Sequence, residues 1–206
     1  MARLIYIHDP MCSWCWGFSA VLKRLLDKLS GRIEVIRLLG GLAKDTNEIM
    51  PIEMQDTIIS TWHRIESVIP DVKFNYDFWH RCQPRRSTYP ACRAVIAARQ
   101  QDEAFDIMMT AAIQQAYYQQ ARNPSEDEIL IELASELRLD VKRFSKDLLS
   151  SDIQDQLMEE IAEVERLGVD SYPSLVLQTQ NRNWHIPVNY TDVVSMQTLI
   201  EELLLE

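Results

Sequence analysis

Two cysteines separated by two residues, Cys12 and Cys15, follow a short apolar run and open an amphipathic segment. The apolar run covers residues 4–7, and the segment after them has the period of a helix. A Cys-x-x-Cys pair at a strand-to-helix turn is typical of thiol–disulfide chemistry. Unpaired N–H groups and the positive end of the helix dipole favour a thiolate at the first sulfur. The second cysteine lies on the same helix face, so the two sulfurs can close a disulfide.

The predicted elements that follow place this turn in a β-α-β unit. A second apolar run covers residues 33–39, between the breakers Ser30-Gly31 and Gly40-Gly41. Two strands joined through one helix are expected to be parallel, with a right-handed crossover.

The rest of the chain divides into a helical block and a β-β-α tail. Residues 45–167 have helical periodicity almost throughout, whereas residues 174–178 and 184–188 are predicted strands joined by a polar turn over 179–183. A final helix begins near Val193. We therefore predict an α/β chain whose first unit is residues 1–44 plus 168–206 and whose second unit is a helical insertion, 45–167.

Several helix boundaries are marked by capping signals. Two capping boxes, Ser125-x-x-Glu128 and Ser151-x-x-Gln154, predict helix starts. Pro90 is predicted near another start, and Gly168 is predicted to end the helix before the third strand.

Charge and hydropathy restrict the partners. The net charge of −10 leaves no basic stripe to neutralise phosphates, so nucleic acid is not an expected partner. No apolar stretch approaches the roughly 20 residues that span a bilayer, so a membrane is not expected either.

The beginning of the chain bears on the compartment. Met1 to Arg3 lead directly into the first predicted strand and leave no room for a signal peptide. If the chain is complete, we expect a cytoplasmic protein, in a compartment where thiols are mostly reduced. Four cysteines are too few for a disulfide-stapled scaffold, which favours a catalytic or metal-binding role.

The other cysteines bear on the choice between a redox pair and a metal site. A zinc knuckle needs a second ligand pair of similar spacing, but Cys82 and Cys92 have nine residues between them, and the four histidines are scattered. We expect no metal, although a zinc-binding interaction module stays open as an alternative. Cys92 lies on an apolar helix face where a buried, inert cysteine is usual. A second redox pair of Cys82 and Cys92 is the less favoured interpretation.

Three motifs together resemble a known group of proteins. The element order with Cys-x-x-Cys at the first strand-to-helix turn resembles the thioredoxin fold. Residues 9–18 (DPMCSWCWGF), 87–94 (S-x-x-PACRA) and 168–173 (GV-x-x-x-P) resemble the DsbA-like branch, including FrnE-type disulfide isomerases. A large helical insertion between the second and third strands is a hallmark of that branch, so the resemblance covers nearly the whole chain.

The resemblance implies a thiol–disulfide oxidoreductase or isomerase acting on protein disulfides or dithiols. It implies that Cys12 is the nucleophile, Cys15 the resolving thiol and Pro173 a cis-proline opposite them. A cis bond would free the backbone of Tyr172 to pair with an extended substrate. Trp14, beside the active thiol, is a further expected substrate contact. A reducing or oxidising thiol partner is expected and no cofactor is required, while the oligomeric state stays open.

Two departures from the branch concern the redox couple and the substrate. The dipeptide Ser13-Trp14 lacks the histidine that stabilises the thiolate in strongly oxidising members. We therefore predict a reducing or intermediate couple. Tyr172 is bulkier than the valine, isoleucine or threonine common before the cis-proline, which bears on substrate preference.

A third departure concerns the proton of the resolving thiol. The branch often has a buried acid six residues before the first cysteine, where this chain has Tyr6. Asp9 or His8 could take the proton instead of that acid, but for each of them we predict an ordinary strand-end charge.

A glutathione-dependent enzyme is the alternative. In kappa-class transferases and related isomerases a serine replaces the first cysteine, and the Trp16-Gly17-Phe18 continuation resembles theirs. Retention of both cysteines favours the dithiol, since a dithiol needs no external thiol to resolve its intermediate. Glutathione stays open as a co-substrate.

Overall fold

The computed structural model describes residues 2–180 and 182–205. Its strands are β1 (Arg3–His8), β2 (Glu34–Leu39), β3 (Ser174–Gln178) and β4 (Asn183–Ile186). They form one sheet in the order β2-β1-β3-β4, in which β1 and β2 are parallel and the other neighbouring pairs antiparallel. This sheet confirms the predicted α/β, thioredoxin-like fold.

The helices of the described residues lie within the segments of predicted helical periodicity, although the sequence did not mark two short ones, residues 78–81 and 141–148, separately. The first, α1 (Ser13–Leu29), connects β1 to β2, and the last, α9 (Val193–Leu203), follows β4. Between β2 and β3 lie α2 (Ile52–Val68), α3 (Phe78–Arg81), α4 (Tyr89–Arg99), α5 (Ala104–Gln120), α6 (Asp127–Glu136), α7 (Val141–Leu148) and α8 (Ser151–Arg166). None of the described helices is long and apolar enough to cross a membrane.

The central strand β1 is buried on both faces because helices cover both sides of the sheet. Side chains alternate along a strand, so Leu4 and Tyr6 pack with α1 and α9. Ile5 and Ile7 point the other way and pack with the end of α8 and the residues after it. Although α8 belongs to the predicted insertion, it covers one face of the sheet. The division into 1–44 plus 168–206 and 45–167 stays a prediction.

A buried ion network joins β2 to the helices behind it. The Nε of Arg37 lies 2.6 Å from Asp106, and Arg99 reaches both Asp106, at 3.2 Å, and Glu160. The other carboxylate oxygen of Glu160 accepts the backbone N–H of Leu39 at 2.7 Å. Removing one partner of such a network leaves an uncompensated charge, so the network fixes how α4, α5 and α8 sit against β2.

Some predicted boundaries are wrong, for local reasons. The capping box at Ser125 does not form, because the Ser125 hydroxyl donates to the carbonyl of Ser87 at 2.7 Å and α6 begins at Asp127. The box at Ser151 is displaced by one residue, since Ser150 is the N-cap of α8 and accepts the N–H of Ile153. Gly168 does end that helix region, with a φ of +70°.

The β-β-α tail differs slightly from its prediction. Strand β4 ends at Ile186, before Pro187, because proline has no N–H for a ladder. In the turn predicted over 179–183, Asn181 lies outside the described residues.

An aromatic cluster forms the centre of the helical insertion. Trp62 on α2 is fully buried, and its ring centroid lies 4.7 Å from Phe74, 5.0 Å from Trp79 and 5.7 Å from Tyr117. Its indole N–H donates to the hydroxyl of Ser13 at 2.9 Å. The cluster therefore holds the insertion together and also contacts the first turn of α1.

Trp62→Ala should lower the free energy of unfolding by about 3–5 kcal/mol, because it leaves a large cavity in this cluster. Urea unfolding followed by circular dichroism measures the change. Ile52→Ala on the same helix is the matched control, since Ile52 is 71% exposed and its truncation should cost less than about 0.5 kcal/mol. Equal effects of the two substitutions would contradict the role assigned to Trp62.

Candidate active site

The first cysteine of the pair caps the helix that follows it. Cys12 is the N-cap of α1, with extended backbone, and its Sγ accepts the backbone N–H of Cys15 at 3.3 Å. The same sulfur lies 3.4 Å from the carbonyl oxygen of Tyr172, to which the thiol donates. Only 6% of Cys12 is exposed. The sulfur therefore lies between a helix N-terminus and the loop that precedes β3.

The second cysteine lies one turn inward and is completely buried. Burial, followed by its contact with Cys12, raises the pKa of the Cys15 thiol well above its usual value. Cys15 is thus protonated at neutral pH. Both cysteines are free thiols in this structure.

The loop opposite the cysteines contains Tyr172 and Pro173, joined by a cis peptide bond. The phenol of Tyr172 donates to the carbonyl oxygen of Gly40 at 2.8 Å. Burial raises the pKa of Tyr172 to about 12, so this donor keeps its proton at neutral pH. A Cβ at Gly40 would lie only 2.1 Å from the Tyr172 ring, so this ring position requires glycine at residue 40.

Asp9 lies between β1 and the cysteine pair in the chain and is completely buried. The prediction of an ordinary strand-end charge is therefore wrong for Asp9. Its carboxylate accepts the N–H groups of Met11 (2.8 Å) and Leu42 (2.7 Å) and the hydroxyl of Thr88 (2.6 Å). The thiol of Cys92 lies 3.5 Å away. Burial outweighs these bonds and raises the pKa of Asp9.

His8 is also buried, so the prediction of an ordinary strand-end charge is wrong here too. Burial and the nearby guanidinium of Arg37 lower the pKa of His8 well below its usual value, so the ring is neutral. It stacks on Tyr6 with centroids 4.8 Å apart. Tyr6, at the position where the resemblance implies a buried acid, faces Cys15, and burial raises the pKa of Tyr6 well above its usual value. Neither Tyr6 nor His8 therefore replaces the carboxylate that the resemblance implies as proton acceptor for Cys15.

The aromatic residues beside the pair are held by elements far apart in the chain. Trp14 is half-buried, lies 4.8 Å from the Tyr190 ring and has the guanidinium of Arg64 over it at 5.7 Å. Tyr190 also packs on Phe18. Sequence reasoning did not identify Tyr190 or Arg64 as neighbours of the pair, and no local signal marks them.

The remaining cysteines lie with separate partners. Cys92 is buried against Asp9, while the half-buried Cys82 donates to the carbonyl of Ala121 at 3.2 Å. Burial raises the pKa of both thiols. In the described parts of the chain, no three His, Cys, Asp or Glu side chains form a group that could hold a metal ion.

The sheet, the buried Cys-x-x-Cys at the start of α1 and the proline loop opposite it define a thioredoxin-fold protein with a dithiol site. The family model described as Thioredoxin (Thioredoxin_5) matches residues 5–199, and the chain belongs to this family.

Solved structures agree with this fold. The chain is 26% identical to a candidate protein disulfide isomerase from Nitrosomonas europaea, with a TM-score of 0.86 over 99% of this chain and 98% of that one. It is 22% identical to the cytosolic disulfide reductase DsbM of Pseudomonas aeruginosa, with a TM-score of 0.78 over 98% of each chain. The resemblance to the DsbA-like branch is confirmed.

Two relatives found by sequence are described as adapter proteins and not as oxidoreductases. The ClpXP adapter protein SpxH of Bacillus subtilis is 24% identical over 95% of this chain and 65% of its own length. The SpxH of Halalkalibacterium halodurans is 24% identical, over 84% of this chain and 57% of its own length. The chain thus spans about three fifths of the length of these relatives.

The substitution Asp9→Asn should remove the part of the pH dependence of the free energy of unfolding that comes from the Asp9 carboxyl. Because the folded-state pKa of Asp9 is raised above about 3.9, folding of the wild type takes up a proton in the window above that value. Wild-type stability relative to Asp9→Asn should therefore fall as pH rises through this window, by at most about 1.4 kcal/mol per pH unit. Urea unfolding of both proteins from about pH 4 to 7 measures the difference. A difference that stays constant or grows with pH would contradict the raised pKa.

Proposed function

We propose that the protein is a thiol–disulfide oxidoreductase of the reductase or isomerase type, with Cys12 as nucleophile and Cys15 as resolving thiol. The observation that carries the proposal is the position of the Cys12 sulfur. This sulfur accepts the N–H of Cys15 at the start of α1 and faces the backbone carbonyl of Tyr172. A substrate peptide in extended conformation could pair with the Tyr172 backbone, which would place its disulfide beside the Cys12 sulfur.

The reaction follows from the two different sulfur environments. The thiolate of Cys12 attacks one sulfur of a substrate disulfide, forms a mixed disulfide and expels the other substrate sulfur as a thiolate. Cys15 then loses its proton and attacks the Cys12 sulfur, which releases the second substrate thiol and leaves a Cys12–Cys15 disulfide. The substrate gains two electrons, and an external thiol must return them to the enzyme. The reverse sequence oxidises dithiols.

The substrate-binding residues we propose are Trp14, Tyr172 and Pro173. Trp14 is half-buried, so part of its ring stays accessible beside Cys12. The carbonyl of Tyr172 already accepts a hydrogen bond from the Cys12 thiol, and an arriving peptide N–H can replace that donor. Protein disulfides are therefore the proposed substrate class.

Glutathione is the proposed reducing partner, and the cytoplasm the proposed location. Two features of the Pseudomonas aeruginosa protein support these choices: it is described as a cytosolic disulfide reductase, and it has been solved with GSH. The dipeptide Ser13-Trp14 also supports a reducing couple, since it lacks a histidine to stabilise the thiolate.

Cys12→Ser should reduce the rate of insulin disulfide reduction to background, with glutathione as electron donor, because it removes the nucleophile. Cys15→Ser should accumulate a mixed disulfide with its substrate, visible on non-reducing gels and by mass spectrometry. Cys82→Ser is the control and should behave as wild type, since the Cys82 thiol bonds to the Ala121 carbonyl and not to Cys12, Cys15 or the proline loop. Full activity of Cys12→Ser would overturn the proposal.

Gly40→Ala should lower kcat/KM for the same reaction by about tenfold to a hundredfold, because the new Cβ displaces the Tyr172 ring and moves the loop that faces Cys12. Gly40 does not have a positive φ, so alanine adds no backbone strain. The double variant Gly40→Ala/Tyr172→Val should recover most of the loss, because valine leaves room for the Cβ. Wild-type activity in Gly40→Ala would contradict this role for Tyr172.

An adapter function is the second candidate, because the match to the Bacillus subtilis ClpXP adapter covers 95% of this chain. An adapter acts by binding and needs no dithiol. Binding of purified ClpX with equal affinity by wild type and Cys12→Ser, together with no reductase activity in either, would replace the oxidoreductase proposal with this one.

A further inference from the structure

An exposed arginine, Arg64 on α2, lies beside the first turn of α1. Two residues earlier on the same helix, the indole of Trp62 donates to the hydroxyl of Ser13 at 2.9 Å, which fixes this part of α2 against the residues between the two cysteines. The guanidinium of Arg64 lies over the ring of Trp14, 5.7 Å from its centroid. A cation is therefore held next to a side chain that the proposed function already places at the substrate.

The guanidinium of Arg64 is available to an anion. Arg64 is exposed, and it forms no ion pair with a carboxylate of residues 2–180 and 182–205. The residues three and four positions away on α2 are not acidic: they are Ser60, Thr61, Ser67 and Val68. Glu66 on the same helix has other partners, since it accepts the N–H of Phe74 at 2.9 Å and the phenol of Tyr76 at 3.2 Å.

Contact with Trp14 orients this cation without using its hydrogen-bond donors. Cation–π attraction acts through the face of the indole ring. The five N–H donors of a guanidinium lie in the guanidinium plane, where two of them match the two oxygens of a carboxylate. Arg64 thus loses part of its side-chain freedom to Trp14 before a ligand arrives and still offers a carboxylate its full donor edge.

The start of α1 adds positive potential in the same place. This helix has 17 residues and no acidic residue in its first turn, and the N–H groups at a helix start carry a partial positive charge. The whole chain, in contrast, has a net charge of −10, which by itself repels anions. The charge near Cys12 and the charge of the whole protein therefore predict opposite substrate preferences.

We propose that Arg64, held over Trp14, binds a carboxylate that lies beside the reacting sulfur of the substrate, so that Cys12 reacts faster with anionic disulfides than with neutral ones. The proposal rests on the proposed function, because it takes Cys12 as the nucleophile. In the step concerned, a bond forms between Cys12 and one substrate sulfur while the other substrate sulfur leaves as a thiolate. The carboxylate can belong to an acidic side chain of a protein substrate or to oxidised glutathione.

Three disulfide-linked peptides that differ only beside their cysteine test this preference. Each is a symmetric dimer of acetyl-Ala-X-Cys-Ala-amide, with glutamate, glutamine or lysine at X. Stopped-flow tryptophan fluorescence measures the second-order rate constant in the Cys15→Ser/Cys82→Ser protein, where the mixed disulfide on Cys12 persists and Cys92 is completely buried. We expect the glutamate peptide to react about threefold to tenfold faster than the glutamine peptide, and the lysine peptide to react slowest. Salt at about 1 M should remove most of this preference.

Substitutions at Arg64 assign the preference to its guanidinium. Arg64→Met keeps an unbranched chain over Trp14 but removes the charge, so the glutamate and glutamine peptides should react at rates within about twofold of each other. The rate with the glutamine peptide should stay within about twofold of its value before the substitution, which a general disturbance of Trp14 or Cys12 would not allow. Arg64→Lys should keep only part of the preference, because lysine retains the charge but lacks the planar donor pair.

Arg182→Met is the matched control. Arg182 is also exposed and also lies over a half-buried tryptophan ring, 3.9 Å from the centroid of Trp184, but it lies beside the edge strand β4 and not beside the cysteine turn. We expect this variant to keep the full preference for the glutamate peptide.

Oxidised glutathione distinguishes the two sources of the carboxylate. A larger effect of Arg64→Met on the glutamate peptide than on oxidised glutathione assigns the contact to protein substrates, and the reverse assigns it to glutathione. Equal rates of the glutamate and glutamine peptides before the substitution, a preference that survives in Arg64→Met, or a similar loss in Arg182→Met would each refute the role of Arg64.

Failure of the proposed function is a separate result, since Cys12 would then react with none of the peptides. Binding decides about Arg64 in that case. S-methylcysteine monomers of the same peptides are titrated into Cys12→Ser and followed by tryptophan fluorescence. The glutamate peptide should bind about threefold to tenfold more tightly than the glutamine peptide, and adding Arg64→Met should abolish the difference. Equal binding of the two peptides to Cys12→Ser would refute the proposal.

Discussion

The buried carboxylate of Asp9 is the interaction on which the site depends. It follows β1 directly and accepts bonds from Met11 on one side and from Leu42 and Thr88 on the other. A buried polar group of this kind is costly unless it is satisfied, so its partners are held in place by the same bonds that compensate its burial. One side chain thereby fixes the turn that presents Cys12, the segment after β2 and the start of α4.

The helical insertion contributes to the same turn from the opposite direction. The indole of Trp62 bonds to Ser13, which lies between the two cysteines. Arg64, on the same helix, covers the ring of Trp14. The position of α1 therefore depends on the insertion as well as on the sheet, and a thioredoxin-like unit without it would lack both contacts.

Local patterns predicted the elements and the cysteine pair, because each depends on residues close together in the chain. The helix start at Cys12 and the left-handed Gly168 follow from spacing and residue type alone. The failure at Ser125 has a different origin: its hydroxyl bonds to the carbonyl of Ser87, a contact that exists only after folding. A capping box forms only when its side chains bond to the nearby backbone, and a carbonyl that folding brings close can take the hydrogen bond instead.

The environments of His8 and Asp9 were missed for the same reason. His8 ends β1 and Asp9 follows it, at positions where an exposed charge is usual, yet both are buried. Thr88 and Cys92 contact Asp9, and Arg37 contacts His8, and all three lie far away in the chain. Their charge states follow from that burial: His8 loses its charge and Asp9 is biased towards its neutral form. Sequence can place a titratable residue beside a site, but the sign of its pKa shift requires knowing what packs against it.

The two cysteines differ because α1 places them in different surroundings. Cys12 meets the helix N-terminus and a loop carbonyl, whereas Cys15, one turn later, is completely buried beside Tyr6. In a family where a buried acid often takes the proton of the second thiol, this chain has a phenol that keeps its own proton. The proposed resolving step therefore needs a proton acceptor other than Tyr6, and α1 buries the thiol that must give up this proton completely. The burial of Cys15 by α1, as well as the face opposite Tyr172, then bears on how long a mixed disulfide lasts.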